Sequence, residues 1–320
     1  MNKIVAHFPV GFFGAVMGIS TQSIAWQIAY NILGWPRIIG EFTGLLAIIL
    51  LATGSIVYLL KLLLHIERVK AEFRDPETIY LFSCIPTSMI LVAGLLVASS
   101  PALSLYLWTL GALLATLFFI FIAHRWIDIP DKTGPPEPGW LLPVAGFASL
   151  PFTGLSLPAH LIGPLSQLAF GGCLVMTLSL FALIFGVPLI TGRKGTVNQV
   201  TYFFLIAPFT MCLLTYSRIV GGVDQFAGML FYFSIFLLIV LSPRIFLIAT
   251  TSPFRFSWWA VSFPLSLLAI AGFKFLAETD ITLNDPRTLA EILLIISTAA
   301  TALIFLLSLW PFLKGKLTGR

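Results

Sequence analysis

Charge is scarce in this sequence: Asp, Glu, Lys and Arg make up 10% of 320 residues, where a soluble domain carries about 25%. Apolar residues reach 58%, and the mean hydropathy is +1.01. A surface built from such a chain would not stay in water, so a soluble enzyme is excluded. Cysteine is equally sparse. Cys84, Cys173 and Cys212 all fall inside apolar runs and form no CxxC or zinc spacing, which leaves them as small packing residues. There is no G-x-S-x-G elbow and no Walker loop. The apolar runs hold no cluster of His, Asp and Glu with metal-ligand spacing. Neither a metal nor a cofactor is expected. The net charge of +5 does not point to nucleic acid, because the basic residues sit in short segments between apolar runs.

What is present is a succession of long apolar runs. A bilayer crossing needs about 20 such residues to span ~30 Å of hydrocarbon. Ten runs qualify: Ile4–Ala29, Ile38–Leu64, Ile79–Ser99, Leu103–Ala123, Gly139–Leu157, Leu161–Ile190, Val200–Val220, Phe226–Leu247, Phe256–Ala277 and Leu289–Phe312. Backbone groups in lipid must be bonded internally, so each run is expected to be a helix. The fold class is all-α integral membrane, with residues 1–320 forming a single transmembrane domain. The N-terminus carries one Lys ahead of Phe8-Pro9-Val10-Gly11, without the n-region and cleavage site of a signal peptide, and reads as the first permanent span.

Lys and Arg divide unevenly between the two sides that ten spans define. The side holding both termini and the segments after even-numbered runs carries fourteen, among them Lys3, Lys61, Arg125, Arg193 and Lys314. The other side carries four: Arg37, Arg218, Lys274 and Arg287. Positive residues stay cytoplasmic, so both termini are expected inside. Arg68 to Glu77, with both signs of charge, reads as a solvated helix-end extension. Ile129–Pro138 reads as a cytoplasmic loop, and Lys314-Gly315-Lys316 as a contact with lipid headgroups.

Proline repeats in step with this alternation. Every odd-numbered run carries one inside it: Pro9, Pro86, Pro143, Pro208 and Pro264. The second, fourth and eighth runs are expected to lack one. A mid-helix proline removes a backbone hydrogen bond and kinks the helix. The freed carbonyl must find water, a side chain or a neighbour, which favours the protein interior. Five kinked helices alternating with five plain ones suggest five helical hairpins in quasi-fivefold arrangement. The kinked set would form an inner ring around a central pore.

The odd runs contain no interior Asp or Glu. Arg218 and Lys274 each come ten residues after their repeat proline, (218 − 208) and (274 − 264), or ~15 Å along a helix. That places both at the outer mouth, where they either attract anions or snorkel to the headgroups. Coupled transporters carry ionisable residues within the membrane; here Glu41, His160 and His7 all fall near span ends. Phe263 precedes Pro264, and Phe8 holds the matching place before Pro9. A ring at either position closes a passage by displacing water or packs between helices.

The proline alternation, Phe8-Pro9-Val10-Gly11-Phe12-Phe13-Gly14, Ala71-Glu72-Phe73-Arg74-Asp75-Pro76, Ile85-Pro86-Thr87, Trp140-Leu141-Leu142-Pro143, Ala207-Pro208 and Ser262-Phe263 together resemble the bacterial TehA-type tellurite-resistance and dicarboxylate transporter family, to which plant guard-cell slow anion channels belong. The resemblance runs over essentially the whole chain. It implies ten helices in five hairpins, a central pore, a homotrimer in the bacterial inner membrane, and a phenylalanine gate at Phe263. It also implies small inorganic or organic anions as partners, alongside membrane lipid. The family includes channels for monovalent anions and carriers for dicarboxylates, sulfite or tellurite-type anions. Pro264 departs from the glycine expected after the gate.

Overall fold

The computed structural model describes residues 2–128, 136–151, 159–191, 199–251, 256–278 and 286–313. Among them are the helices α1 (Asn2–His7), α2 (Phe12–Leu33), α3 (Arg37–Leu64), α4 (Ile66–Arg74), α5 (Cys84–Leu96) and α6 (Pro101–Asp128). The chain continues through α7 (Leu141–Ala148), α8 (Ala159–Thr191), α9 (Ile206–Val220), α10 (Gln225–Thr251), α11 (Trp259–Glu278) and α12 (Pro286–Leu313). No strand occurs among the described residues.

Among the described residues, eight helical segments are long and apolar enough to cross a membrane, including Ile79–Leu96, Val200–Val220 and Phe256–Ala277. The first and fifth expected runs differ from these. α2 has 22 residues, but Ser20, Thr21, Gln22, Ser23 and Gln27 dilute its hydropathy. The described apolar helix of the fifth run is Pro138–Ala148, and residues 152–157 lie outside the described residues. So do Lys132, Arg193, Lys194, Arg255, Lys314, Lys316 and Arg320, whose sidedness was read from sequence.

Burial separates the helices into two kinds. The most apolar stretches of Ile79–Leu96, Val200–Val220 and Phe256–Ala277 are 67% to 83% buried, whereas those of α3, α6, α8, α10 and α12 are 22% to 39% buried. Packing follows the same division. α2 packs on α5, α5 on α7, α7 on α9, α9 on α11, and α11 returns to α2. Each of the exposed helices rests in a groove between two of these: α3 on α2 and α5, α6 on α5 and α7, α8 on α7 and α9, α10 on α9 and α11, and α12 on α11 and α2. The exposed helices turn large apolar side chains outward, such as Ile38, Leu63, Leu103, Ile239 and Leu306. The buried ones carry hydroxyls that bond to backbone carbonyls. Thr21 donates to Met17 O at 2.8 Å, and Thr87 to Ser83 O at 2.7 Å. Ser88 crosses from α5 to Phe13 O of α2 at 2.9 Å. Lipid gives two apolar helices no reason to associate, so close approach and internal polar bonds hold them. Gly18 of α2 shows the first: a Cβ there would collide with Ser262 Oγ of α11.

The prolines are spaced as expected, but four of the five lie at or before a helix start and not within a continuous α-helix. Pro86, Pro143 and Pro208 are each the third residue of an α-helix that follows a 3-10 segment (Ile79–Ser83, Pro138–Trp140 and Gln199–Leu205). A proline ring collides with the carbonyl four residues back. A 3-10 turn uses the carbonyl three back instead, so the junction absorbs what would otherwise be a kink. Pro9 lies in a break between α1 and α2, where Phe12, Phe13 and Gly14 donate to Pro9 O, Val10 O and Gly11 O at 3.2, 3.2 and 3.0 Å. Only Pro264, sixth in α11 after the 3-10 turn Phe256–Trp258, lies truly inside its helix. The expectation that the eighth run lacks an interior proline is corrected: α10 continues to Thr251, which puts Pro243 inside it. α2 and α9 both end on a left-handed glycine, Gly34 (φ 71°) and Gly221 (φ 75°). Their N–H groups close onto Tyr30 O and Ser217 O, so the chain can turn back within a few residues.

The stretch after α3 is also corrected. Arg68 to Glu77 is not merely a solvated extension. α4 is a separate amphipathic helix that buries Val69 and packs on α3. Its Glu72 reaches Lys61 of α3, which is 1% exposed despite its charge.

Candidate functional site

The helix ends decide where the molecule opens. A cavity of about 370 Å³ lies where α2, α9 and α11 finish, with Pro151 beyond α7 on its wall. α2 contributes Ile28, α9 contributes Thr215 and Arg218, and α11 contributes Ile270 and Lys274. Arg218 and Lys274 are 56 residues apart in sequence (274 − 218), yet they line one space. No Asp or Glu is among the lining residues, and most of the rest are apolar. A cavity with two cations and low-dielectric walls concentrates its field on an anion inside it.

Helical register carries this face deeper. Positions seven, eleven and fourteen apart fall within about 40° of one direction. Phe263 therefore shares a face of α11 with the lining residues Ile270, Lys274 and Ala277, and lies ~10 Å further along the helix than Ile270. By the same count Thr21 and Met17 continue the face of Ile28 on α2, and Met211 continues the face of Arg218 on α9. Met17 and Phe263 are 1% exposed, and Thr21 and Met211 are 0% exposed. The continuation of each face is buried.

Phe8 does not share this direction. Its ring packs on Phe12 at 4.8 Å, and Phe12 lies against Gly54 of α3. The matching place in the first run faces a lipid-side helix. The carbonyl of Phe8 is the informative atom there. The break at Pro9 takes its backbone partner away, because Phe12 bonds to Pro9 O instead. Lys61 Nζ donates to Phe8 O at 2.8 Å and pairs with Glu72 Oε1 at 2.6 Å. Tyr58 OH donates to Glu72 Oε2 at 3.0 Å. A buried ammonium thus stands in for a missing backbone donor, with its countercharge supplied by α4. Pro86, Pro143, Pro208 and Pro264 are all buried, at the level of the junctions.

A second polar cluster joins three helices. Gln22 Nε2 of α2 donates to Thr298 Oγ1 of α12 at 2.7 Å, and Ser266 Oγ of α11 donates to Gln22 Oε1 at 2.6 Å. Trp26 Nε1 also donates to Thr298 Oγ1, at 3.0 Å.

Sequence reasoning missed both clusters. Each does leave a trace: Lys61 interrupts Leu59-Leu60 and Leu62-Leu63-Leu64, and Gln22 sits between hydroxyls in an otherwise apolar helix. The candidates for ion coupling lie at the periphery. Glu41 pairs with Arg37 at 2.6 Å on the exposed start of α3. His7 is exposed beside Arg68, 3.2 Å away. The side chain of His160 lies outside the described residues. No group of three His, Cys, Asp or Glu residues that could hold a metal occurs among the described residues.

Outside the spans, Glu137 precedes the 3-10 turn Pro138–Trp140. Burial, reinforced by the nearby negative charges of Glu77 and Asp75, pushes its carboxyl up to about 7.

Residues 7–309 match the family model SLAC1, described as voltage-dependent anion channel. Guard cell S-type anion channel SLAC1 of Arabidopsis thaliana is 25% identical, covering 94% of this chain and 55% of its own length. S-type anion channel SLAH2 of the same plant is 26% identical over 85% of this chain and 53% of its own length. The chain therefore spans about half of these plant relatives. Tellurite resistance protein TehA homolog of Haemophilus influenzae is 24% identical over 96% of this chain and 92% of its own length.

Proposed function

The chain belongs to the SLAC1 family of anion channels, and we propose that it is a gated passage for small anions running between α2, α5, α7, α9 and α11, with Phe263 as the gate. It is a multi-pass membrane protein of a channel family and not an enzyme. The observation that carries the reading is the register of α11. One face presents Lys274 to a cavity that also holds Arg218, and three turns deeper presents the buried ring of Phe263. An anion drawn into the cavity meets an apolar constriction that conducts only when wetted. Weak binding in a largely apolar space suits rapid passage better than tight coupled transport. The plant relatives, named as anion channels, support the same substrate class.

In the full proposal α2 and the run from residue 139 to 157 complete ten crossings, arranged as five hairpins with quasi-fivefold symmetry in a single domain. Both termini face the cytoplasm, in keeping with the fourteen-to-four division of Lys and Arg. The cavity is then the outer mouth. The protein acts as a homotrimer in the bacterial inner membrane.

Phe263→Ala is expected to raise anion current through the purified protein in planar bilayers by more than tenfold. Unchanged current sinks the gate. A second reading rests on the relative named for tellurite resistance: a carrier for tellurite-type, sulfite or dicarboxylate anions. Uphill uptake into proteoliposomes driven by a pH gradient supports the carrier; purely downhill flux supports the channel.

A further inference from the structure

We propose that Gln22 is a positioning residue for this gate: its bonds to Ser266 and Thr298 staple α11 to α2 and α12 in the rotation that keeps Phe263 across the passage. The inference rests on the channel reading above and deepens it.

Pro264 follows Phe263 directly and has no N–H to give to the carbonyl of Ala260, one turn back. The helix therefore lacks a backbone brace at the turn that carries the ring. Side-chain bonds take the place of that backbone bond, within α11 and from outside it. Ser266, three residues after Phe263, donates to Gln22 Oε1 at 2.6 Å and lies 2.9 Å from Ser262 O. Gln22 is 1% exposed, and Ser262 and Ser266 are 0% exposed. The other end of the Gln22 amide is fixed with equal care. Thr298 Oγ1 accepts from Gln22 at 2.7 Å and from Trp26 at 3.0 Å, and donates to Leu294 O at 2.6 Å. One donor and two acceptor sites are the whole capacity of a hydroxyl, so Thr298 is saturated and rigid. Gly18 adds a steric half to the device. Its missing Cβ lets Ser262 sit against α2, one helical turn from Gln22 along that helix. Turning α11 enough to move Phe263 aside would break the Ser266 bond in a medium that offers no water in exchange. Two interhelical bonds of the strength found in membrane interiors shift an open–closed equilibrium by about tenfold.

The test uses the full-length protein in planar bilayers, with each variant also made in the Phe263→Ala background. Gln22→Leu, which removes both bonds, is expected to raise resting current about tenfold, and Ser266→Ala, which removes one, about threefold. Unit conductance and reversal potential stay unchanged, because the staple touches the equilibrium and not the lining. Thr298→Val shows the same effect and Thr298→Ser does not. None of these adds current when Phe263 is already Ala. If Phe263→Ala opens the passage but Gln22→Leu and Ser266→Ala do not, the staple is wrong and the gate stands. If the staple variants add the same factor on top of Phe263→Ala, they act elsewhere and the inference fails. If Phe263→Ala itself changes nothing, the gate falls and the staple with it. Should Gln22→Leu not yield a monodisperse protein, Ser266→Ala, which removes one hydroxyl, decides the matter.

Discussion

The two halves of the proposed passage are made by the same helices and have opposite contents. At the ends of α2, α9 and α11 the helices enclose a cavity of about 370 Å³ with two cations on its wall. Deeper along the same helices, Met17, Thr21, Met211 and Phe263 are buried, and hydroxyls and amides bind helix to helix. Still nearer the N-terminal ends of these helices, a buried Lys61–Glu72 pair secures the break at Pro9. Charge facing open space can only alter how many anions arrive. Charge and polarity buried between helices determine whether the helices keep their places. Substitutions in the packed half should therefore change stability or opening, and substitutions in the open half should produce smaller, salt-dependent effects.

The largest of three further effects is expected from Lys61→Met. It leaves Glu72 without its countercharge and Phe8 O without a donor. Breaking a buried pair costs about 3–5 kcal/mol, but the Glu72 side chain is 24% exposed, so a loss nearer 2–3 kcal/mol is expected. The check is a fall of roughly 5 °C in the melting temperature of the detergent-purified protein. Partial recovery in the Lys61→Met, Glu72→Gln double variant would confirm that the stranded carboxylate is responsible. A melting temperature equal to wild type would erase the contrast between the two halves.

A smaller effect is expected at the open end. Arg218→Gln with Lys274→Gln should lower anion conductance about threefold at low ionic strength. The loss should shrink as salt shortens the screening length to ~3 Å near 1 M. Conductance in the double variant that is insensitive to salt and equal to wild type would show that these cations only anchor the helix ends.

The smallest effect concerns Glu137, outside the spans. Its folded carboxyl lies near 7, above the ordinary 4.5, so the folded state holds this proton more tightly than the unfolded chain. That contribution is present below about pH 4.5 and is lost as pH rises through about 7. The melting temperature should fall by a few degrees over that interval, and Glu137→Gln should flatten the slope. An identical slope in the variant would show that burial of this carboxyl does not matter to stability.

Much of the scaffold was legible in the sequence because lipid leaves few solutions. Each apolar run of sufficient length must be a helix, and eight segments among the described residues meet the requirement directly. The resemblance to the TehA and guard-cell channel family held, with residues 7–309 matching one family model. The proline repeat pointed to the buried helices, since Pro86, Pro143, Pro208 and Pro264 all lie in them. Its local meaning was misread. Periodicity does not distinguish a kinked α-helix from a 3-10 turn joined to an α-helix, because both place a proline inside one apolar run. For Phe8 the sequence left open a ring across a passage or one packed between helices. Phe8 matches Phe263 in sequence, but a break before α2 turns its ring toward Phe12 and α3.

Composition and pattern alone determined that this chain lives in a bilayer, that helices build it, and which helices are buried. Those outcomes follow from local rules, one run at a time. Arg218 and Lys274 were expected at one mouth, but only tertiary structure showed that they line one cavity, that Phe263 is buried on the helix that walls it, and that Lys61 and Gln22 are buried with partners on other helices. Each of these depends on the rotation of one helix against another. That rotation is set by close approaches such as Gly18 to Ser262, contacts between residues hundreds of positions apart that no single run encodes.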